Sequence, residues 1–250
     1  MTPDETLAVD TGPWGEALPL LQEWDPQWAK VCVPMSTAPW TSGVLERKFV
    51  ELVSVALSAS CTNLDAQAAR HHIRAAIEAG ATREQILVVL KCATVLAIHS
   101  CSLAAPILLQ EAHAAGVEPA PRSAPTPACD AMRAAGQWNT AWDPFVQLDP
   151  EWTDHFIATG IGIYDYTALS AKEVELLSIA LDATYTHMYE PGARRHVKAA
   201  LRAGASVEEI MEILKLCVAH GVQACNLGVP ILAEELANAA AREHSTARQA

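Results

Sequence analysis

The sequence has no Cys-x-x-Cys pair, no uninterrupted run of eighteen apolar residues, only three Phe and four Tyr, and a deficit of basic side chains. Each absence excludes a class. With 17 Lys and Arg against 29 Asp and Glu, and a net charge of -12, the chain lacks the clustered cations that nucleic acid or an anionic membrane surface requires as a partner. Without a long apolar run it predicts no transmembrane helix, and therefore no membrane partner. The opening MTPDETLAVDTGPWG is acidic and lacks the basic start and apolar stretch of a secretory leader, so the expected compartment is the cytoplasm. The seven cysteines, an odd number, then read as reduced thiols, most of them buried as small hydrophobes. Scarce aromatics and no alternating strand pattern argue against a sheet, whereas abundant Ala and Leu suit closely packed helices. The predicted fold class is all-α.

What is present is a duplication. Shifted by 124 positions, residues 45–112 fall on 169–236 without a gap and with 28 of 68 positions identical. VELVSVAL (50–57) meets VELLSIAL (174–181), RHHIRAAIEAGATREQI (70–86) meets RRHVKAALRAGASVEEI (194–210), and CSLAAPILLQE (101–111) meets CNLGVPILAEE (225–235). Upstream, DPQW (25–28) meets DPEW (149–152) in the same register. The expected organisation is a first unit over 1–115, a Pro/Ala-rich linker over 116–135 and a second unit over 136–250. Two copies of an ancestral dimer subunit joined in one chain predict a pseudo-two-fold pair.

Local signals divide each unit into helices. Leu45, Phe49, Leu52, Val53, Ala56 and Leu57 recur at helical spacing, as do their counterparts from Leu169 to Leu181. Ser170 with Glu173, Thr82 with Gln85 and Ser206 with Glu209 have the form of capping boxes. The His72-bearing helix should stop at Gly80, and Pro106 and Pro230 should occupy the first turn of a last helix. The tryptophans at 14, 24, 28, 138, 142 and 152 predict anchors for the N-terminal arm of each unit.

A helix with an embedded Glu, a His-bearing helix, an Ala-Gly-Ala-Thr/Ser turn with its capping box, and a Gly- or His-containing stretch before Pro together resemble the carboxymuconolactone decarboxylase / alkylhydroperoxidase D-like superfamily. VELLSIAL, RHVKAALRAGASVEEIMEIL and GVQACNLGVPIL carry the resemblance, with their partners in the first copy. It implies a homo-oligomer, here a trimer of fused pairs. Peroxidase-like members of the superfamily use a Cys-x-x-Cys pair. Here SCTNLDAQ and TYTHMYEP stand in its place and Cys61 has no second thiol three residues away, which disfavours thiol-dependent peroxide chemistry.

His72 and His196 occupy the position at which the family keeps its functional His, and Glu51 and Glu175 its helical Glu. A neutral imidazole moves protons near pH 7. The structural alternative is a core-edge His bonded to a carbonyl, and for the two Glu a solvated polar stripe with Lys48 or Lys172. Three positions read Asn63, His72, His99 in one copy and His187, His196, Gln223 in the other, so each copy has two imidazoles and one amide. Either the copies have specialised, with His187, Tyr189 and His196 the fuller set, or a site between the units draws on both. With these residues the resemblance implies a cofactor-independent, decarboxylase-like lyase or isomerase on a small carboxylated or lactone-like metabolite. His196 and His187 are its acid/base pair, Glu175 tunes one His, and Tyr185 or Tyr189 orients substrate. His72, His99 and Glu51 are the first-unit counterpart. Two further readings stay open: a metal-dependent enzyme using His187 and His196 as ligands of a divalent ion, and a small-molecule binding protein without catalysis.

Overall fold

The computed structural model describes residues 12–161, 163–164 and 166–247, and the acidic start of the chain lies outside these. Among the described residues there are helices and no strands. The first unit comprises α1 (Ala17–Trp24), α2 (Pro26–Thr41), α3 (Arg47–Ala59), α4 (Ala66–Glu78), α5 (Arg83–Val95) and α6 (His99–Ala114). After α7 (Pro127–Ala134) the second unit repeats them as α8 (Asp143–Leu148), α9 (Pro150–Ile161), α10 (Ala171–Ala183), α11 (Glu190–Arg202), α12 (Val207–Ala219) and α13 (Gln223–Ala247).

The boundary signals act as the sequence predicts. Ser170, Thr82 and Ser206 form complete capping boxes at the starts of α10, α5 and α12, satisfying donors that would otherwise lack partners. Gly80 and Gly204 end α4 and α11 with φ of 89° and 87°, a conformation that glycine adopts without a Cβ penalty. Two expectations need correction. Pro106 and Pro230 lie inside α6 and α13 rather than in a first turn, because 3-10 turns over Leu96–Ile98 and His220–Val222 end the preceding helix early and start the last one sooner. The linker is not extended throughout. Its second half forms α7, which buries Ala128, Cys129 and Met132 against Trp142, Phe145 and Ile157.

α3 and α10 pack on each other at the centre of a continuous core that includes Leu52, Val53, Leu176, Leu177, Ile179 and Leu216, all fully buried. Each such side chain contributes about 2 kcal/mol by leaving water. The arms are exchanged: α2 packs on α12, and α9 packs on α5. The last helices cross in the same way, α13 lying on α1 and α6 on α8. The hydroxyls of Thr62 and Thr186, equivalent residues 124 apart, meet at 3.0 Å and mark the pseudo-two-fold axis. Trp14 anchors the first arm as expected, its indole N–H donating to Ser36 Oγ at 2.8 Å, and Trp138 meets Trp142 edge to face.

By length and apolarity alone the helical stretches Arg83–Ala114 and Val207–His244 could cross a bilayer. Each is interrupted by its 3-10 turn, and its first half is built into the core. The second halves, α6 and α13, expose equivalent leucines and isoleucines: Leu103, Ile107 and Leu108 on one, Leu227, Ile231 and Leu232 on the other.

Candidate active site

The amphipathic pattern of α10 and α11 turns Glu175 and His196 inward, where both are buried, with His196 Nδ1 2.6 Å from Glu175 Oε2. His196 Nε2 lies 2.7 Å from Arg195 Nη2. A guanidinium only donates, so Nε2 is the acceptor and Nδ1 carries the proton that Glu175 receives. Burial, reinforced by the Arg195 charge, lowers the His196 pKa against the opposing pull of Glu175, which keeps the ring neutral with its Nε2 lone pair facing Arg195. Arg195 Nε is itself buried and has no hydrogen-bond partner among the described residues.

Beside this pair stands a second group that crosses the units. His99, the first residue of α6, reaches from the first unit to put Nδ1 2.7 Å from Nε2 of His187 and 3.5 Å from Asp182 Oδ1. The Tyr189 ring lies over His99 with centroids 3.9 Å apart. Asp182 is 2% exposed and its Oδ2, 3.7 Å from His196 Nε2, has no hydrogen-bond partner. Burial pushes its carboxyl up to about 7, while burial and the neighbouring imidazoles and Arg195 hold His99 down at about 3. Asp182 fits only because residue 192 is glycine: a Cβ there would stand 2.1 Å from Oδ2. His187 follows α10 in a turn that passes through the left-handed region at Met188, φ 49°, a conformation uncommon for a side chain of that size.

His99, Asp182, Arg195 and His196 form the polar end of a cavity of about 80 Å³. Its walls include Met132, Trp142, Phe156, Ile157, Ile163 and Leu181, which are supplied by α7, the second unit's arm and α10. Tyr164 also faces it, with burial pushing its phenol up to about 12.

The pseudo-equivalent place in the first unit has the same kernel and different surroundings. His72 Nδ1 is 2.7 Å from Glu51 Oε2, but the other Glu51 oxygen is taken by the Trp40 indole N–H and the Arg47 guanidinium. Burial alone would raise the Glu51 pKa; His72, Arg47 and Trp40 together lower it. His72 Nε2 is buried and unpartnered, and the ring faces that of His220 with centroids 5.6 Å apart. His220 is fully buried, neither of its nitrogens finds a partner, and burial together with His72 holds its pKa down at about 3. The adjoining cleft is an open space of about 680 Å³ lined by polar groups such as His71, Asn63, Arg70 and Arg74.

The structure regroups several predicted residues. His99 belongs with His187 and Asp182, not with His72 and Glu51, because the last helix of each unit crosses to the other. Tyr185 points into the first-unit cleft, its hydroxyl 3.4 Å from the His220 carbonyl, and not toward His187 or His196. Tyr189 meets the site through its ring, which lies over His99 and tilts against His187. Neither Glu51 nor Glu175 is a solvated stripe residue, since each has its His and Glu51 is paired with Arg47 rather than Lys48. The atoms placed for a shared cation are those of His99, Asp182 and His187, whereas His196 directs its lone pair at Arg195. No local pattern in the sequence assigns Arg195, Gly192 or Asp182 to the site. All three differ between the repeats, as His71, Ala68 and Ser58 in the first, and that asymmetry was the available signal.

Comparison with known proteins agrees with this architecture. The profile of the carboxymuconolactone decarboxylase family matches residues 26–97 and 150–234, more than half of the chain and both repeats. No curated protein matches the sequence. A crystal structure from Burkholderia xenovorans LB400, described as a "putative gamma-carboxymuconolactone decarboxylase subunit", superposes with a TM-score of 0.84 at 27% identity over 94% of this chain and 96% of that one. With both repeats matched and the helical pair intact, the chain belongs to the carboxymuconolactone decarboxylase family.

Proposed function

We propose that the protein is a lyase or isomerase that moves a proton on a small carboxylated or lactone-like metabolite, working in the second-unit cavity. The observation that carries this reading is the convergence of a neutral His196 and an Arg195 with an unpartnered Nε on the polar end of an otherwise apolar cavity. Arg195 is placed to receive a carboxylate or a developing enolate oxygen, because a guanidinium forks onto two oxygens. When a carbon–carbon bond to a carboxylate breaks, or a carbon acid loses its proton, the electron pair left behind must pass into a conjugated carbonyl. A fixed donor lowers that barrier where water is excluded. In an isomerisation His196 Nε2 takes the proton from one carbon and returns it to another, with Glu175 steadying the imidazolium through Nδ1–H; in a decarboxylation carbon dioxide leaves and the proton of the new C–H bond comes from water by way of His196. The proton transfer itself runs on side chains and calls for no organic cofactor.

Membership of the family supports decarboxylase-like chemistry in general terms. The expected setting is the cytoplasm. The matched apolar faces of α6 and α13 support assembly into a homo-oligomer, for which a trimer of fused pairs is the expected form. The test is a screen of lactones and unsaturated acids for carbon dioxide release or isomerisation, followed by His196→Ala. The variant should lose turnover while keeping its helix content and oligomer size. Turnover that survives the change would end the reading, and a well-folded wild type inert to every such compound, yet binding one tightly, would favour a binding protein.

A further inference from the structure

The group formed by His99, Asp182 and His187 is not used by the proton transfer just described. Its three ligand-type atoms, two imidazole nitrogens and one carboxylate oxygen, lie within 4.8 Å of one another. The geometry points to a divalent transition-metal site that joins the two units, with His99 Nδ1, His187 Nε2 and one Asp182 oxygen as protein ligands. This goes beyond the lyase reading and does not depend on it.

Three observations carry it, and one distance sets what loading requires. The donor set of two nitrogens and one oxygen is that of sites for zinc and its first-row neighbours, which leave positions open to water or substrate. Asp182 is 2% exposed with Oδ2 unpartnered, and burying a carboxylate in this way is costly unless a cation or donor completes it. The two imidazole nitrogens stand 2.7 Å apart, whereas two ligands of one tetrahedral ion, each at about 2.0–2.1 Å, stand about 3.3 Å apart. Loading therefore needs an opening of roughly half an ångström, and His187 sits in a half-exposed turn that allows it. Finally, the ligands are backed. Tyr189 packs on His99, and Gly192 leaves the space into which Asp182 fits.

The first unit is an internal control. The corresponding positions are Gln223, Ser58 and Asn63, none of them a good ligand for such an ion. Asn63 instead donates to the Leu57 carbonyl and Gln223 to the Pro13 carbonyl. One ion per chain is therefore expected, not two.

The test uses the full chain, purified without a tag, stripped with a chelator and titrated with Co²⁺ and with Zn²⁺. One equivalent of Co²⁺ should bind per chain, with visible absorption from mixed nitrogen and oxygen ligands, and saturating Zn²⁺ should raise the melting temperature. His187→Asn and Asp182→Asn should each weaken Co²⁺ binding by about a hundredfold or more and abolish the thermal shift. His196→Gln should keep the single equivalent. His187→Asn lies in the partly exposed turn and tests the site even if the buried Asp182→Asn chain fails to fold. No binding by the wild-type chain, or binding that His187→Asn leaves unchanged, would overturn the assignment. So would two equivalents that persist in both triad variants. Because the titration contains no substrate, its outcome is separate from that of the turnover screen.

Discussion

Set side by side, the two pseudo-equivalent sites have the same Glu–His kernel and have parted in everything around it. Around His196 the neighbouring side chains face a small cavity with apolar walls; around His72 several of them bond to the protein itself, beside an open polar cleft. Asp65 accepts from the Gln67 and Ala68 amides as the N-cap of α4, while its counterpart Tyr189 makes no cap bond and lies over His99 instead. Pro191 and Glu190 in the first turn support α11 in place of that cap. Asn63 and Gln223 spend their amides on backbone carbonyls, where His187 and His99 meet each other. Trp40 and Arg47 saturate Glu51, and their counterparts are Tyr164, which faces the cavity, and Ala171. Duplication thus supplied two kernels whose surroundings have diverged, one opening on an apolar-walled cavity and the other lying beside an open polar cleft.

The largest break in this comparison is expected in turnover. His196→Gln should lower kcat by about 100- to 10,000-fold, the usual worth of a positioned acid or base, whereas His72→Gln should leave kcat within about tenfold and show itself in stability instead, as a lower melting temperature. Next comes the coupling of residues 182 and 192. Gly192→Ala should destabilise the chain by roughly 3 kcal/mol in denaturant unfolding because its Cβ meets the Asp182 carboxylate and the Tyr189 ring, and Gly192→Ala with Asp182→Ser, the pair found as Ala68 and Ser58, should recover the part of the loss that the carboxylate causes. Additive effects would show that the two positions did not exchange together.

A smaller effect separates the sites by pH. His220 has a folded pKa of about 3 against an ordinary value of 6.5, so the unfolded chain binds the extra proton first as pH falls. Its contribution is intact above 6.5 and is lost progressively between 6.5 and 3. His220→Leu, which installs the residue found at position 96, should remove roughly 2 kcal/mol of the stability lost between pH 7 and pH 5. Urea melts at the two pH values measure it, and an unchanged pH dependence would clear His220 of the role. The smallest expected difference is none: Thr82→Ala and Ser206→Ala should each cost about 1 kcal/mol, since both remove the same cap from equivalent helices.

Much of the fold was legible because its signals are short-range. Capping boxes at 82, 170 and 206, glycine stops at 80 and 204 and the repeat offset of 124 each involve neighbours in sequence or a comparison of the sequence with itself. The Glu–His kernel was legible through the family resemblance and its recurrence in both copies. The departures have a common cause in competition from tertiary contacts. α7 forms inside a Pro/Ala-rich segment because Cys129 and Met132 find an apolar surface to cover. The last helices begin before their prolines because the 3-10 turns reset the chain direction.

Local signals in the sequence were enough for most of the helices, their capped ends, the duplication and the Glu and His at the heart of each site, since helix period and capping act over three or four residues. Which imidazoles meet depends on long-range packing. His99 and His187 are 88 positions apart and come together because α6 leaves its own unit and crosses the pseudo-two-fold axis. No local pattern encodes that crossing. It follows from how two apolar helix layers bury most area against each other, a property of the whole chain.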